Sequence, residues 1–103
     1  MYSATKAAVI MLTQALALEI ASSGVRVNAV CPGLIEGTPM RVSAEEQSRK
    51  VGMAVAKDRV ATIPMKRTGT PADVAKVVAF LASDEAAYMT GQAVNITGGM
   101  WQH

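Results

Sequence analysis

Between Tyr2 and Ser23 apolar side chains fall all round a helical wheel. Val9, Ile10, Met11, Leu12, Leu16, Leu18 and Ile20 leave no polar face, and Lys6 and Glu19 are the only charges. Ala, Leu, Met, Gln and Glu dominate the stretch and favour helix, and Gly24 supplies a stop. A helix over 2–23 is therefore expected, and a helix with no polar face is expected to be buried on most sides. The period then changes. Val25, Val27, Ala29 and Cys31 alternate with Arg26, Asn28 and Val30, which predicts a strand over 25–31 ended by Pro32-Gly33.

Gly37 and Pro39 break residues 34–42 into loop. Ser43 followed by Glu46 signals a helix start, and a polar helix weakened by Gly52 is expected to run to about Ala61, with loop again over 62–70. Thr70-Pro71-Ala72-Asp73 opens a better helix: Thr70 as N-cap, Pro71 in the first turn, Asp73 near the positive end of the dipole. Val74, Val77, Val78 and Leu81 should form its buried stripe over 71–83. Ala93–Thr97 predicts a second strand, closed by Gly98-Gly99, and Tyr88 and Trp101 are expected as packing groups. Two strands joined through a helical crossover run parallel. Parallel sheets need cover on both faces and more strands than two, so the fold class is α/β and the sheet is incomplete on its own.

Charge sharpens that picture. Only 17% of the 103 residues are charged, against about a quarter in typical domains. Residues 1–40 carry just Lys6, Glu19, Arg26 and Glu36. A short chain keeps much of its surface wet, so this apolar start is expected to be covered by something outside the sequence. Basic residues concentrate in 41–67 but are interleaved with Glu45, Glu46 and Asp58, as on a solvated face; with a net charge of +2, no nucleic-acid partner is expected. Cys31, the only cysteine, excludes an internal disulfide and favours a reducing, cytoplasmic setting. His103 ends the chain without neighbouring ligands, so no metal is expected. Lys6 followed by Ala7–Leu18 loosely mimics a signal peptide, but Thr13 and Gln14 interrupt the run and Glu19 closes it. The run is also short for a bilayer. Neither a leader nor a membrane partner is expected.

Tyr2, Ser3 and Lys6 form Y-S-x-x-K, and residues four apart share a helix face. A free phenol, with a pKa of about 10, is a poor acid–base group near neutrality unless a cation favours the phenolate. Moving it by about 3 units takes roughly 4 kcal/mol, and a lysine one turn away is a suitable source. The pattern around this pair is richer: Y-S-A-T-K-A-A, then V-R-V-N-A-V-C-P-G one helix length on, T-P-A-D-V-A, F-L-A-S-D-E-A-A-Y-M-T-G-Q, and V-N-I-T-G-G. Together these resemble the C-terminal portion of short-chain dehydrogenases/reductases, over essentially the whole chain.

The resemblance implies the C-terminal half of one Rossmann-like, doubly wound parallel-sheet domain. It also implies an NAD(P)-dependent oxidoreductase acting on a secondary alcohol or its ketone, with NAD and NADP undistinguished. Tyr2 matches the catalytic acid–base, and Lys6 the residue that tunes it and holds the nicotinamide ribose. Pro32 and Gly33 match the turn beside the nicotinamide, Ile35 the backbone contact to its carboxamide, and Thr38 the carboxamide-binding threonine. P-G-L-I-E-G-T is one residue longer than the commoner P-G-x-I-x-T. Residues 39–62 match the substrate loop. Ser3 matches a small residue after the tyrosine, not the catalytic serine, and Cys31 reads as a buried strand end. None of the eight glycines follows a strand in the family's glycine-rich phosphate turn. The isolated chain is therefore expected to be inactive, with Met1 an internal methionine. Expected partners are a homo-oligomer, dimer or tetramer, or a missing N-terminal half. The alternative is a non-catalytic truncated relative serving as an interaction module through helix 2–23.

Overall fold

The computed structural model describes residues 2–37 and 60–100. Helix α1 spans Tyr2–Ile20, strand β1 Ala29–Pro32, helix α2 Pro71–Ala82 and strand β2 Ala93–Ile96. The two strands form one sheet. The N–H of Ala29 donates to Gln92 O at 2.8 Å and that of Gly33 to Ile96 O at 2.9 Å. Partners rise together along both strands, so the pair is parallel, as the crossover requires. The chain divides into two compact units: Met1–Cys31 with Lys76–Val94, and Pro32–Ala75 with Asn95–His103.

In the first unit α1 passes into a short 3-10 turn, Ala21–Ser23, ended by Gly24 at φ 82°. The expected stop thus falls where the left-handed region favours glycine. The expectation that this helix is buried on most sides is not met within the chain. Thr13 and Ala17 are buried, while Leu18 is 84%, Leu12 65% and Met11 61% exposed. Cover is confined to one stripe, with Lys6, Ile10 and Ile20 half-buried beside Thr13 and Ala17. These positions recur every three or four residues, the spacing of a single helix face. Ala17 marks the tightest approach: a Cβ on Gly91 would lie 3.3 Å from its Cβ. The remaining apolar side chains lack neighbours because this unit supplies material for one face only. The helical run Ser3–Ser23, mean hydropathy 1.4, is also longer than the apolar segment anticipated. By length and composition alone it is able to cross a membrane.

β1 begins four residues later than expected and includes Pro32. Before it, the Val27 main chain and the Asn28 side chain bond to the loop before β2 instead of forming a ladder. Val27 N–H donates to Thr90 Oγ1 at 3.0 Å, Asn28 Nδ2 to Met89 O at 3.0 Å, and Gln92 N–H to Asn28 Oδ1 at 3.1 Å. Proline fits inside β1 because Ala29 and Gly33 donate toward β2, so the N–H that Pro32 lacks belongs to the other edge. Arg26 completes the arrangement. Its Nη1 donates to Leu81 O at 2.7 Å and Met89 O at 3.3 Å, and its Nη2 to Ser83 O at 3.1 Å. Leu81 lies in the last turn of α2, where carbonyls have no intrahelical partner and a cation suits the dipole. The stripe expected on α2 is uneven: Leu81 is buried, Val74 and Val77 are half-buried, and Val78 is 47% exposed.

In the second unit Thr70 and Asp73 cap α2 reciprocally. Asp73 N–H donates to Thr70 Oγ1 at 3.1 Å, and Thr70 N–H to Asp73 Oδ2 at 2.8 Å. Thr70 is the N-cap the sequence predicts, and Asp73, expected only beside the dipole, completes a capping box with aspartate in the glutamate position. Ile63 is buried, and Val60–Thr62 form a 3-10 turn at the place where the polar helix from Ser43 was expected to end. The rest of that helix lies outside the described residues.

Arg26→Ala removes charge-assisted bonds to three carbonyls at once. It should cost roughly 2–4 kcal/mol in urea unfolding, and Arg26→Lys should recover less than half, because an ammonium lacks the planar fork. A loss below about 0.5 kcal/mol, the range of an unremarkable surface change, would show that the three contacts carry no stability.

Candidate active site

Tyr2 opens α1, and Lys6 stands one turn further on, half-buried on the covered stripe. The helix therefore brings the two positions to one face. Ser3 is exposed beside them. Cys31 ends the first unit's part of β1 as a buried free thiol, as anticipated. Tyr88, expected as a packing group, is fully exposed; the turn after Asp84–Ala86 holds it outside the small core.

Pro32, Gly33 and Ile35 belong to the second unit. A Cβ on Gly33 would lie 3.1 Å from Thr97 Cα and 3.2 Å from Thr97 Cβ. Glycine is thus needed at the strand exit for close backbone approach, and not for an unusual φ. Two residues on, Ile35 forms a parallel bridge with Gly69: Gly69 N–H donates to Leu34 O at 2.8 Å and Glu36 N–H to Gly69 O at 2.9 Å. Gly37, at φ 75°, then turns the chain. Thr38 and residues 39–59 of the expected substrate loop 39–62 lie outside the described residues, as do Trp101 and His103.

Several residues around Ile35 were not singled out by the sequence. Thr68 Oγ1 donates to Glu36 Oε2 at 3.1 Å. Arg67 Nη1 meets Asp73 Oδ2 at 2.8 Å, which joins the bridge segment to the cap of α2. The Arg67 hydrogen bond, aided by the Thr70 N–H, holds the Asp73 carboxyl well below the usual carboxylate range; the same bond raises Arg67. No local signal announces Glu36 with Thr68, since the partners are 32 residues apart.

Parallel strands with flanking helices, and a glycine-tightened turn beyond a strand's carboxyl end, define part of a Rossmann-type fold, the class that places ligands at those ends. A family model described as enoyl-(acyl carrier protein) reductase matches residues 1–101. The chain is 46% identical over 99 residues to oxidoreductase UcpA of Escherichia coli K12, covering 95% of this chain. It is likewise 46% identical to the 3-oxoacyl-[acyl-carrier-protein] reductase FabG of Thermotoga maritima, covering 96%. It spans 37% of the length of each. Among solved structures, a short chain dehydrogenase family protein from Francisella tularensis superposes with a TM-score of 0.87 at 33% identity, over 96% of this chain and 42% of that one. Sorbitol-6-phosphate 2-dehydrogenase SrlD from Erwinia amylovora gives 0.85 at 37%, over 99% and 41%. The chain belongs to the short-chain dehydrogenase/reductase family.

Because the folded Asp73 is depressed below its ordinary value of 3.8, its contribution to stability is fully present above that value and is lost as pH falls through the lower folded value. An NMR titration should find the Asp73 carboxyl still ionised at pH 3.8, and Arg67→Ala should raise its midpoint. A wild-type midpoint at the ordinary value would contradict the bracket.

Proposed function

We propose that this chain carries the acid–base pair and the nicotinamide-facing turn of an NAD(P)-dependent oxidoreductase acting on a secondary alcohol or its ketone. The observation that carries the reading is the Tyr2–Lys6 spacing at the head of α1, with Lys6 on the stripe that the fold covers, in a chain of this family. NAD or NADP, when bound, supplies the acceptor or donor of the hydride.

Tyr2 exchanges a proton with the substrate oxygen. Lys6 supplies the positive charge that favours the phenolate, matching the phenol to neutral pH, and holds the nicotinamide ribose. The second unit carries the candidate nicotinamide-facing turn. Gly33 brings the strand exit against Thr97 without a side chain in the way. In the Ile35–Gly69 bridge the bonding groups are Leu34 O and Glu36 N–H, so the N–H and C=O of Ile35 itself point to the opposite side. That is the orientation a carboxamide contact needs. Pro32 precedes that turn, and the resemblance gives Thr38 the role of the carboxamide-binding hydroxyl.

The names of relatives support carbonyl and alcohol chemistry: a 3-oxoacyl-[acyl-carrier-protein] reductase, a (3R)-3-hydroxyacyl-CoA dehydrogenase of Homo sapiens, and an aldohexose dehydrogenase of Thermoplasma acidophilum. We place the cover for the exposed side of α1 in protein, either a second copy in a homo-oligomer or an N-terminal half, and not in lipid or nucleic acid. The lone, reduced Cys31 suits the cytoplasm. A non-catalytic interaction module is the second reading, favoured by the exposed Leu12, Leu16 and Leu18.

In the whole protein Tyr2→Phe should lower kcat by about 100-fold or more while the KM for cofactor changes little, whereas Lys6→Ala should also raise that KM. An unchanged kcat in Tyr2→Phe, with the biological effect intact, would favour the interaction module. By calorimetry the 103-residue chain alone should bind NAD(P)H more weakly than micromolar.

A further inference from the structure

We infer that the Glu36–Thr68 hydrogen bond is a register lock that keeps the backbone amide of Ile35 turned toward the nicotinamide carboxamide; this rests on the oxidoreductase reading above. The main-chain pairing between 34–36 and 69 consists of one isolated bridge held by two bonds, of 2.8 and 2.9 Å. So short a pairing specifies its own register weakly. Strand geometry makes register decisive here, because a slip of one residue exchanges the two edges and the two faces. In the observed register Leu34 and Glu36 spend their groups on Gly69, and Ile35 presents its own to the far side. After a slip Ile35 would bond Gly69, and its neighbours would present their groups instead.

Three features hold the register. Thr68 Oγ1 donates to Glu36 Oε2 at 3.1 Å, cross-linking the residues next to the bridging pair on both segments. Gly69 makes room for Ile35 to fold over it: a Cβ there would lie 2.7 Å from Ile35 Cδ1. Arg67 ties the same segment to Asp73 at 2.8 Å, and Asp73 in turn accepts the Thr70 N–H, so the segment is fixed to the start of α2. Glu36 is followed at once by Gly37 in the left-handed region, with nothing within 4 Å of a Cβ placed there. Glu36 and Thr68 act through Ile35 and are positioning residues, not catalytic ones.

The test uses the isotope-labelled chain and reduced nicotinamide mononucleotide, which omits the adenosine half that a glycine-rich turn would hold. Amide shifts should appear at Gly33–Glu36 with millimolar affinity. Thr68→Val and Glu36→Leu should each weaken binding about three- to tenfold, the value of one hydrogen bond, move the Ile35 amide resonance, and speed hydrogen exchange at the Gly69 amide. Thr68→Ser keeps the hydroxyl and should restore binding. Ser83→Ala, which removes an acceptor for Glu85 N–H elsewhere, should leave binding unchanged. Faster Gly69 exchange with wild-type affinity would make the bond merely structural and overturn the lock, as would unaltered exchange in both variants. Absence of any shift at Gly33–Glu36 in the unmodified chain would instead sink the nicotinamide reading, and the lock with it.

Discussion

Three carbonyl oxygens converge on the guanidinium of Arg26, and the order of the first unit follows from that convergence. Leu81 and Ser83 sit at and just past the end of α2, and Met89 precedes β2. One side chain thus satisfies acceptors that the helix end leaves open and ties them to the approach of β1. Asn28 and Thr90 continue the attachment from either side. By the time the ladder starts at Ala29, both strands have been set side by side, and four-residue strands suffice because alignment was achieved upstream of them.

The exposed face of α1 is the counterpart. Burying a large apolar side chain is worth roughly 1.5–3 kcal/mol, and this helix leaves several in water. What it does cover is selective, a single stripe that includes Lys6. The side of the helix that the family resemblance makes chemical is also the side the chain itself supports, while the uncovered side carries Leu12, Leu16 and Leu18. The proposed chemistry and the chain's own support thus fall on one face, so the orientation of Lys6 is set within the first unit.

Local chemistry made much of this legible. The Thr70–Asp73 cap, the Gly24 stop, the two strands and the Tyr2–Lys6 spacing are written in consecutive residues, and short-range rules read them. Val25–Asn28 alternates like a strand and so predicts an earlier onset of β1, but Val27 and Asn28 bond through side chains instead of a ladder. Arg26 went unassigned because its acceptors lie 55 to 63 residues distant. Tyr88 was misjudged because aromatic character predicts burial only where a core exists to receive it. Glu36 read as one more charge until Thr68 was seen opposite.

Pro32 carries a consequence beyond its own strand. On the edge of β1 that faces away from β2, a neighbouring strand would look for a proton at that nitrogen and find a ring. Zippering along that edge has to stop there, one step before Gly33. A sheet that closed further would cover the ground beyond the strand's carboxyl end; an imino acid keeps the seam unstitched at no cost in moving parts.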